Sequence, residues 1–90
     1  MEFRWNDWNI EHIAGHSVTA EEAEQAIRHG PLDLGAETVD GEERFLSLGL
    51  TNRARLLVVA TTMRGTRVRV VTAYEAGRTL AMLFVKEKGL

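Results

Sequence analysis

Arg44, Arg53, Arg55, Arg64, Arg67 and Arg69 lie in a stretch, Arg44 to Tyr74, that contains no acid. Guanidinium groups are permanently charged forks that match phosphate oxygens and can stabilise the extra charge of a phosphoryl-transfer transition state. Arg67 and Arg69 stand two residues apart in an alternating apolar run. They therefore share one face of a strand with Val71, opposite Val68, Val70 and Thr72. Each arginine taken singly reads as an ordinary solvated charge. The set reads as a surface for a polyanion, with Arg64, Arg67 and Arg69 as the group nearest a reacting phosphate and Arg44, Arg53 and Arg55 as further contacts. Tyr74 follows the last of these strands, where a ring can stack on a base as it does in readers of single-stranded RNA.

An imidazole titrates near neutrality, as general acid–base chemistry requires, and His16 is the candidate for that role. His12 and His16 have the i, i+4 spacing that places two side chains on one side of a helix. The intervening Ile13-Ala14-Gly15 lacks the glutamate of a metalloprotease helix and no third ligand is evident, so no metal site and no cofactor is expected. His29 sits at a helix C-terminus, where a positive charge is favourable. Trp5 and Trp8 read as core residues pinning the start of the chain, with indole N–H groups that need partners. Glu42 and Glu43 read as turn residues rather than as a base. There is no phosphate loop, dinucleotide fingerprint or serine elbow.

These side chains need elements to hold them. Met1 to Trp5 alternates as a short edge strand, and Asn6 or Asp7 can cap a helical turn running toward His16. Thr19 and Glu22 form a capping box, with Val18 and Ala23 as a hydrophobic staple. A helix therefore starts at Ala20, buries Ala20, Ala23, Ala26 and Ile27, carries a Glu24–Arg28 pair outside, and ends at Gly30-Pro31. Beyond Pro31 the period is two: Leu32 and Leu34, Phe45 to Leu50, Arg55 to Thr62, and Thr66 to Ala73. Asp40-Gly41, Thr51-Asn52 and Arg64-Gly65 separate these runs, giving an antiparallel meander. Thr72 and Glu75 repeat the capping-box spacing, so a C-terminal helix is expected from near Ala73 through Ala76, Leu80, Leu83 and Phe84, with a strand over 79–85 as the alternative.

The net charge of −2 hides a division: eleven acids and two bases precede position 44, and two acids and nine bases follow from it. Ninety residues support one domain, 1–90, whose stability is of the order of 5 to 13 kcal/mol. The absence of cysteine excludes disulfide scaffolds and thiol chemistry. The apolar runs 56–60 and 80–85 are far shorter than a membrane span, and the acidic first residues do not read as a signal peptide, so a cytoplasmic protein with no membrane partner is expected.

Taken in order, Phe3-x-Trp5-Asn6, His16-Ser17-Val18-Thr19-x-Glu21-Glu22-Ala23, Gly41-Glu42-Glu43-Arg44-Phe45, Gly49-Leu50, Arg55-Leu56-Leu57-x-Val59, Arg64-Gly65 and Val68-Arg69-Val70-Val71-Thr72-Ala73 resemble the BrnT toxins over nearly the whole chain. The resemblance implies a RelE-like α+β domain, helices against an antiparallel sheet, acting as the ribonuclease toxin of a type II toxin–antitoxin pair. It implies a BrnA-like ribbon-helix-helix antitoxin as partner, and metal-independent RNA cleavage in which the neighbouring 2′-hydroxyl attacks. On this resemblance His16, Arg64, Arg67, Arg69 and Tyr74 are the catalytic set and Arg44, Arg53 and Arg55 bind RNA. Three positions depart from the family pattern. Gly15 stands where the family has a lysine, Tyr74 where it often has an arginine, and the run from Thr79 to Phe84 replaces a charged C-terminal helix. Loss of one transition-state cation typically costs about a hundredfold in rate. A second reading follows: a catalytically degenerate binding or self-associating module using Leu80, Met82, Leu83 and Phe84.

Overall fold

A computed structural model describes residues 1–90. The chain runs β1 (Glu2–Arg4), α1 (Asp7–Ala14), α2 (Ala20–Arg28), β2 (Leu32–Val39), β3 (Glu42–Leu50), β4 (Leu56–Arg64), β5 (Arg67–Glu75) and α3 (Arg78–Lys88). The class is α+β, and the five strands form one mixed sheet in the order β1-β5-β4-β3-β2. From β2 to β5 the sheet is the expected antiparallel meander. The edge strand is not part of it: β1 pairs with β5 in parallel. Parallel neighbours need a long crossover, and here α1, α2 and the meander together supply it.

The short-range signals hold where they rest on neighbouring residues. Asn6 caps α1 by accepting from the Asn9 N–H at 2.9 Å. The capping box of α2 is complete, Thr19 Oγ1 accepting from Glu22 N–H and Glu22 Oε1 accepting from Thr19 N–H, each at 3.1 Å. The hairpin turn at Asp40-Gly41 has positive φ at both residues, 50° and 79°, which glycine and aspartate tolerate best.

Two helix faces make two cores. Ile13 from α1, with Ala23, Ala26 and Ile27 from α2, packs on Leu57, Val59, Val70 and Ala73, while Phe3 and Trp5 close the margin. Trp5 Nε1 donates to Glu24 Oε2 at 2.7 Å, and Glu24 also pairs with Arg28 at 3.3 Å. The backbone of α2 crosses β3 at Gly49, where a Cβ would lie 2.1 Å from the Ala26 carbonyl oxygen. On the opposite face of the sheet, Leu48 and Val58 receive Phe84 and Leu80 of α3, with Leu32, Leu34, Leu50 and Leu56 around them.

Four expectations need correction. The 79–85 run is helical, but α3 begins at Arg78 with Gly77 as a cap that offers no side-chain bond, because β5 runs on to Glu75. Thr72 and Glu75 are thus strand residues, and their capping spacing is incidental. Ala60 pairs with Thr72 whereas Thr61 pairs with Val70, so Val71 is the extra residue of a bulge and Ala73, not Thr72, joins Val70 on the helix-covered side. Trp8 is not core: it is 58% exposed on α1.

Candidate functional site

The sheet face that carries α3 is divided along its width. Its β2–β3 half is apolar and lies under α3. Its β5–β1 half carries two cross-strand rows, Arg4–Arg69–Thr62 and Glu2–Arg67–Arg64, set by the pairing of β1 with β5 and β5 with β4. Residues opposite one another on paired strands point the same way, so these side chains share one surface. Arg44 of β3 adjoins it and is tied in through Glu42, which bonds Arg44 at 3.3 Å and Arg64 at 3.0 Å. Arg67 pairs with Glu2 at 2.8 Å, and no carboxylate pairs with Arg4 or Arg69.

Arg44, Arg64, Arg67 and Arg69 thus come together on one face. Arg53 and Arg55 do not join them. Arg53 lies in the β3–β4 connection beside Glu21, Glu22 and Gln25. Arg55 is committed to internal partners: Nη1 donates to the Ser17 carbonyl at 2.6 Å and to Glu22 at 3.2 Å, and Nε donates to Glu75 at 3.2 Å. The Glu22 carboxyl is held below its ordinary value, first by the Thr19 backbone N–H and then by Arg55, against the opposing effect of burial.

Along α1 runs a strip of exposed rings. Trp8 stacks on His12 with centroids 5.0 Å apart and planes 6° from parallel. His12 meets His16 edge-on at 5.8 Å, and His16 lies 6.1 Å from Tyr74. His16 itself sits just beyond the helix, in the turn that leads to α2. Ring faces presented in this way suit stacked bases, because every base has a π-face. Five residues of strand separate Tyr74 from Arg69, roughly 15 Å at the rise of a β-strand. His16 and Tyr74 are therefore brought together, while both stand apart from the arginine rows.

Arg4, Asn6 and Asn9 also line this edge of the sheet with Arg64 and Arg69, although none of them is a site candidate in the sequence, and Trp8 is exposed rather than core. The i, i+4, i+8 spacing of Trp8, His12 and His16 is the signal that could have found the strip. Arg4 carried none, because only the parallel pairing of distant segments brings it to Arg69. No three His, Asp or Glu side chains converge as a metal site would require, and no helix is long and apolar enough to cross a membrane.

The C-terminal segment presents less than the four residues expected of it. Phe84 is buried and Leu80 packs beside it against Leu48 and Val58, so both belong to the core of the chain itself. Leu83 is half-buried and Met82 is 63% exposed.

Residues 5–79 match the family model described as the ribonuclease toxin, BrnT, of type II toxin–antitoxin systems. No curated protein matches the chain.

Proposed function

The chain belongs to the BrnT family, the ribonuclease toxins of type II toxin–antitoxin systems, and from that premise we propose that it cuts RNA laid across the arginine rows and the ring strip. The observation that carries the reading is that Arg4, Arg64 and Arg69 line one cavity with Asn6 and Asn9 at the start of α1, the helix whose exposed side is a line of rings. Arginines engage backbone phosphates irrespective of sequence, and rings stack on the unpaired bases between them. Arg69, Arg67 and Arg64 hold phosphates, Arg44 acts through the shared Glu42, and Tyr74 supports a base next to His16. Arg53 is a peripheral contact, and Arg55 acts by holding the fold.

For the chemistry, a 2′-hydroxyl attacks the adjacent phosphorus, its proton is taken up, and the 5′-oxygen leaves with a proton, giving a 2′,3′-cyclic phosphate without a metal. His16 is the group that moves the proton, and a RelE-like scaffold is the corresponding fold reading. The expected antitoxin, a BrnA-like ribbon-helix-helix protein, would find Met82 rather than Leu80 or Phe84 on α3.

A second reading is favoured by one observation. The roughly 15 Å of strand between Arg69 and Tyr74, the ring beside His16, separates the proton-moving group from the strongest cations, as in a chain that binds RNA or its antitoxin and no longer cuts. The two readings separate in one assay. If the first is right, wild type cleaves RNA and the Arg67→Ala/Arg69→Ala double variant does so at least about a hundredfold more slowly. Equal cleavage by both proteins would sink it.

A further inference from the structure

At the β1 edge of the sheet, where the chain turns into α1, Arg4, Asn6, Asn9, Arg64 and Arg69 line a cavity of about 150 Å³ whose wall contains no apolar residue. Three guanidinium groups around so small a space repel one another unless negative charge lies among them. Arg64 has the Glu42 carboxylate at 3.0 Å. Arg4 and Arg69 have no such partner, so two of the arginines that line the cavity are uncompensated.

Asn9 points to a ligand independently. It is 1% exposed, and neither its Oδ1 nor its Nδ2 has a hydrogen-bond partner. Folded chains seldom bury an amide in that state without a reason. Asn9 is fixed in place because its backbone N–H donates to the Asn6 cap at 2.9 Å. Asn9 lines the cavity, three of the other four lining residues are arginines, and an oxyanion is the ligand that accepts from amide N–H and guanidinium groups alike.

We infer that this cavity is a binding site for one phosphate group, with Arg4 and Arg69 as its charge partners, Arg64 beside them and the Asn9 amide as a neutral donor. That an RNA strand supplies the phosphate rests on the ribonuclease reading; the anion site does not. On that reading the cavity anchors the strand at the start of the ring strip, since Trp8 directly precedes Asn9 in α1.

The test is titration of the full-length chain with inorganic phosphate at constant ionic strength, followed in proton–nitrogen NMR spectra. A saturable shift of the Asn9 side-chain amide and of the Arg4 and Arg69 Nε–H signals is expected. Arg4→Gln, at an exposed position, should raise the phosphate Kd about tenfold or more, and Arg78→Gln on α3 should leave it unchanged. An unsaturable drift shared by every arginine, or the same Kd in wild type, Arg4→Gln and Asn9→Leu, would overturn the site. A second arm uses uncleavable 2′-O-methyl oligoribonucleotides with and without a 5′-phosphate. Tighter binding of the phosphorylated form assigns the cavity to a terminal phosphate. Equal binding of both forms, weakened in Arg4→Gln, assigns it to a phosphodiester within the chain. Oligonucleotide binding that ignores Arg4→Gln while inorganic phosphate binding is lost overturns the RNA assignment and leaves the anion site standing. Intact phosphate binding in a chain that cuts no RNA counts against the ribonuclease reading alone.

Discussion

Replacing Arg55 by Met separates a structural arginine from the binding ones. Arg55 joins three parts of the chain at once: the α1–α2 connection through the Ser17 carbonyl, the first turn of α2 through Glu22, and the end of β5 through Glu75. Met keeps much of the aliphatic stem and removes every donor. Hydrogen bonds to charged groups are worth about 1.5 to 3 kcal/mol each when sheltered, but exposed ion pairs are worth about 0 to 1. Arg55 is only 24% exposed, whereas Glu75 is 65% exposed, so the Glu75 bond contributes little and the Ser17 and Glu22 bonds dominate. The expected loss is about 2 kcal/mol, which for a domain of this size lowers Tm by about 8 to 16 °C.

The effect depends on pH in a definite direction. The Glu22 carboxyl is held below its ordinary 4.5 in the folded chain. Its contribution is therefore complete above that value and disappears as the pH falls through the lower folded pKa. The gap in Tm between wild type and Arg55→Met should be widest near neutrality and shrink in acid. Circular dichroism melts at both pH values measure it, and fluorescence anisotropy at 20 °C tests whether the folded variant still binds RNA like wild type. A Tm change under about 2 °C at neutrality, or an RNA affinity loss as large as that of Arg69→Gln, would refute the structural assignment.

Gly49→Ala should destabilise by about 3 kcal/mol or prevent folding, because the atom that the new Cβ meets is the backbone oxygen of Ala26 rather than a flexible side chain; urea unfolding checks it. Trp8→Ala should change stability by less than about 1 kcal/mol, since the ring is mostly exposed. The same change should weaken RNA binding by about 1 to 3 kcal/mol, the worth of one stacked base, in an anisotropy titration. Asn9→Leu should raise stability by about 1 kcal/mol or more by removing an unsatisfied buried amide, seen as a higher urea midpoint.

What could be read from the sequence followed from the range of each signal. The α2 cap, its buried stripe and the hairpin turns depend on residues a few positions apart, and all are present. The shared face of Arg67 and Arg69 follows from strand alternation alone and also holds. Failures arose where the outcome depends on distant segments. The parallel docking of β1 brings Arg4 to Arg69 from 65 residues away, and no local pattern records it. Arg55 looked like its neighbours until Glu22, 33 residues earlier, was found to hold it. The continuation of β5 to Glu75 defeated a helix cap that local spacing favoured, because pairing with Leu57 and Val58 extends the strand. Trp8 was read as core from its residue type, yet it stands on the outer side of α1 while Ile13 takes the inner one.

The charge division also has a more specific meaning in three dimensions. Three acids of the first half, Glu2, Glu22 and Glu42, are spent neutralising arginines of the second half. What remains uncompensated on the open half-face is Arg69, joined by Arg4 from the acidic half. The polyanion surface is therefore much smaller than the sequence count suggests, and it is concentrated at the sheet edge beside α1.

The most direct test of the central claim is the product formed when the purified chain meets an RNA oligonucleotide in the presence of EDTA. Cleavage ending in a 2′,3′-cyclic phosphate is predicted. It should be absent at any position bearing a 2′-deoxy substitution and lost in the Arg67→Ala/Arg69→Ala variant. An intact oligonucleotide that the chain nevertheless binds, or cleavage that leaves a 3′-hydroxyl, would contradict the account.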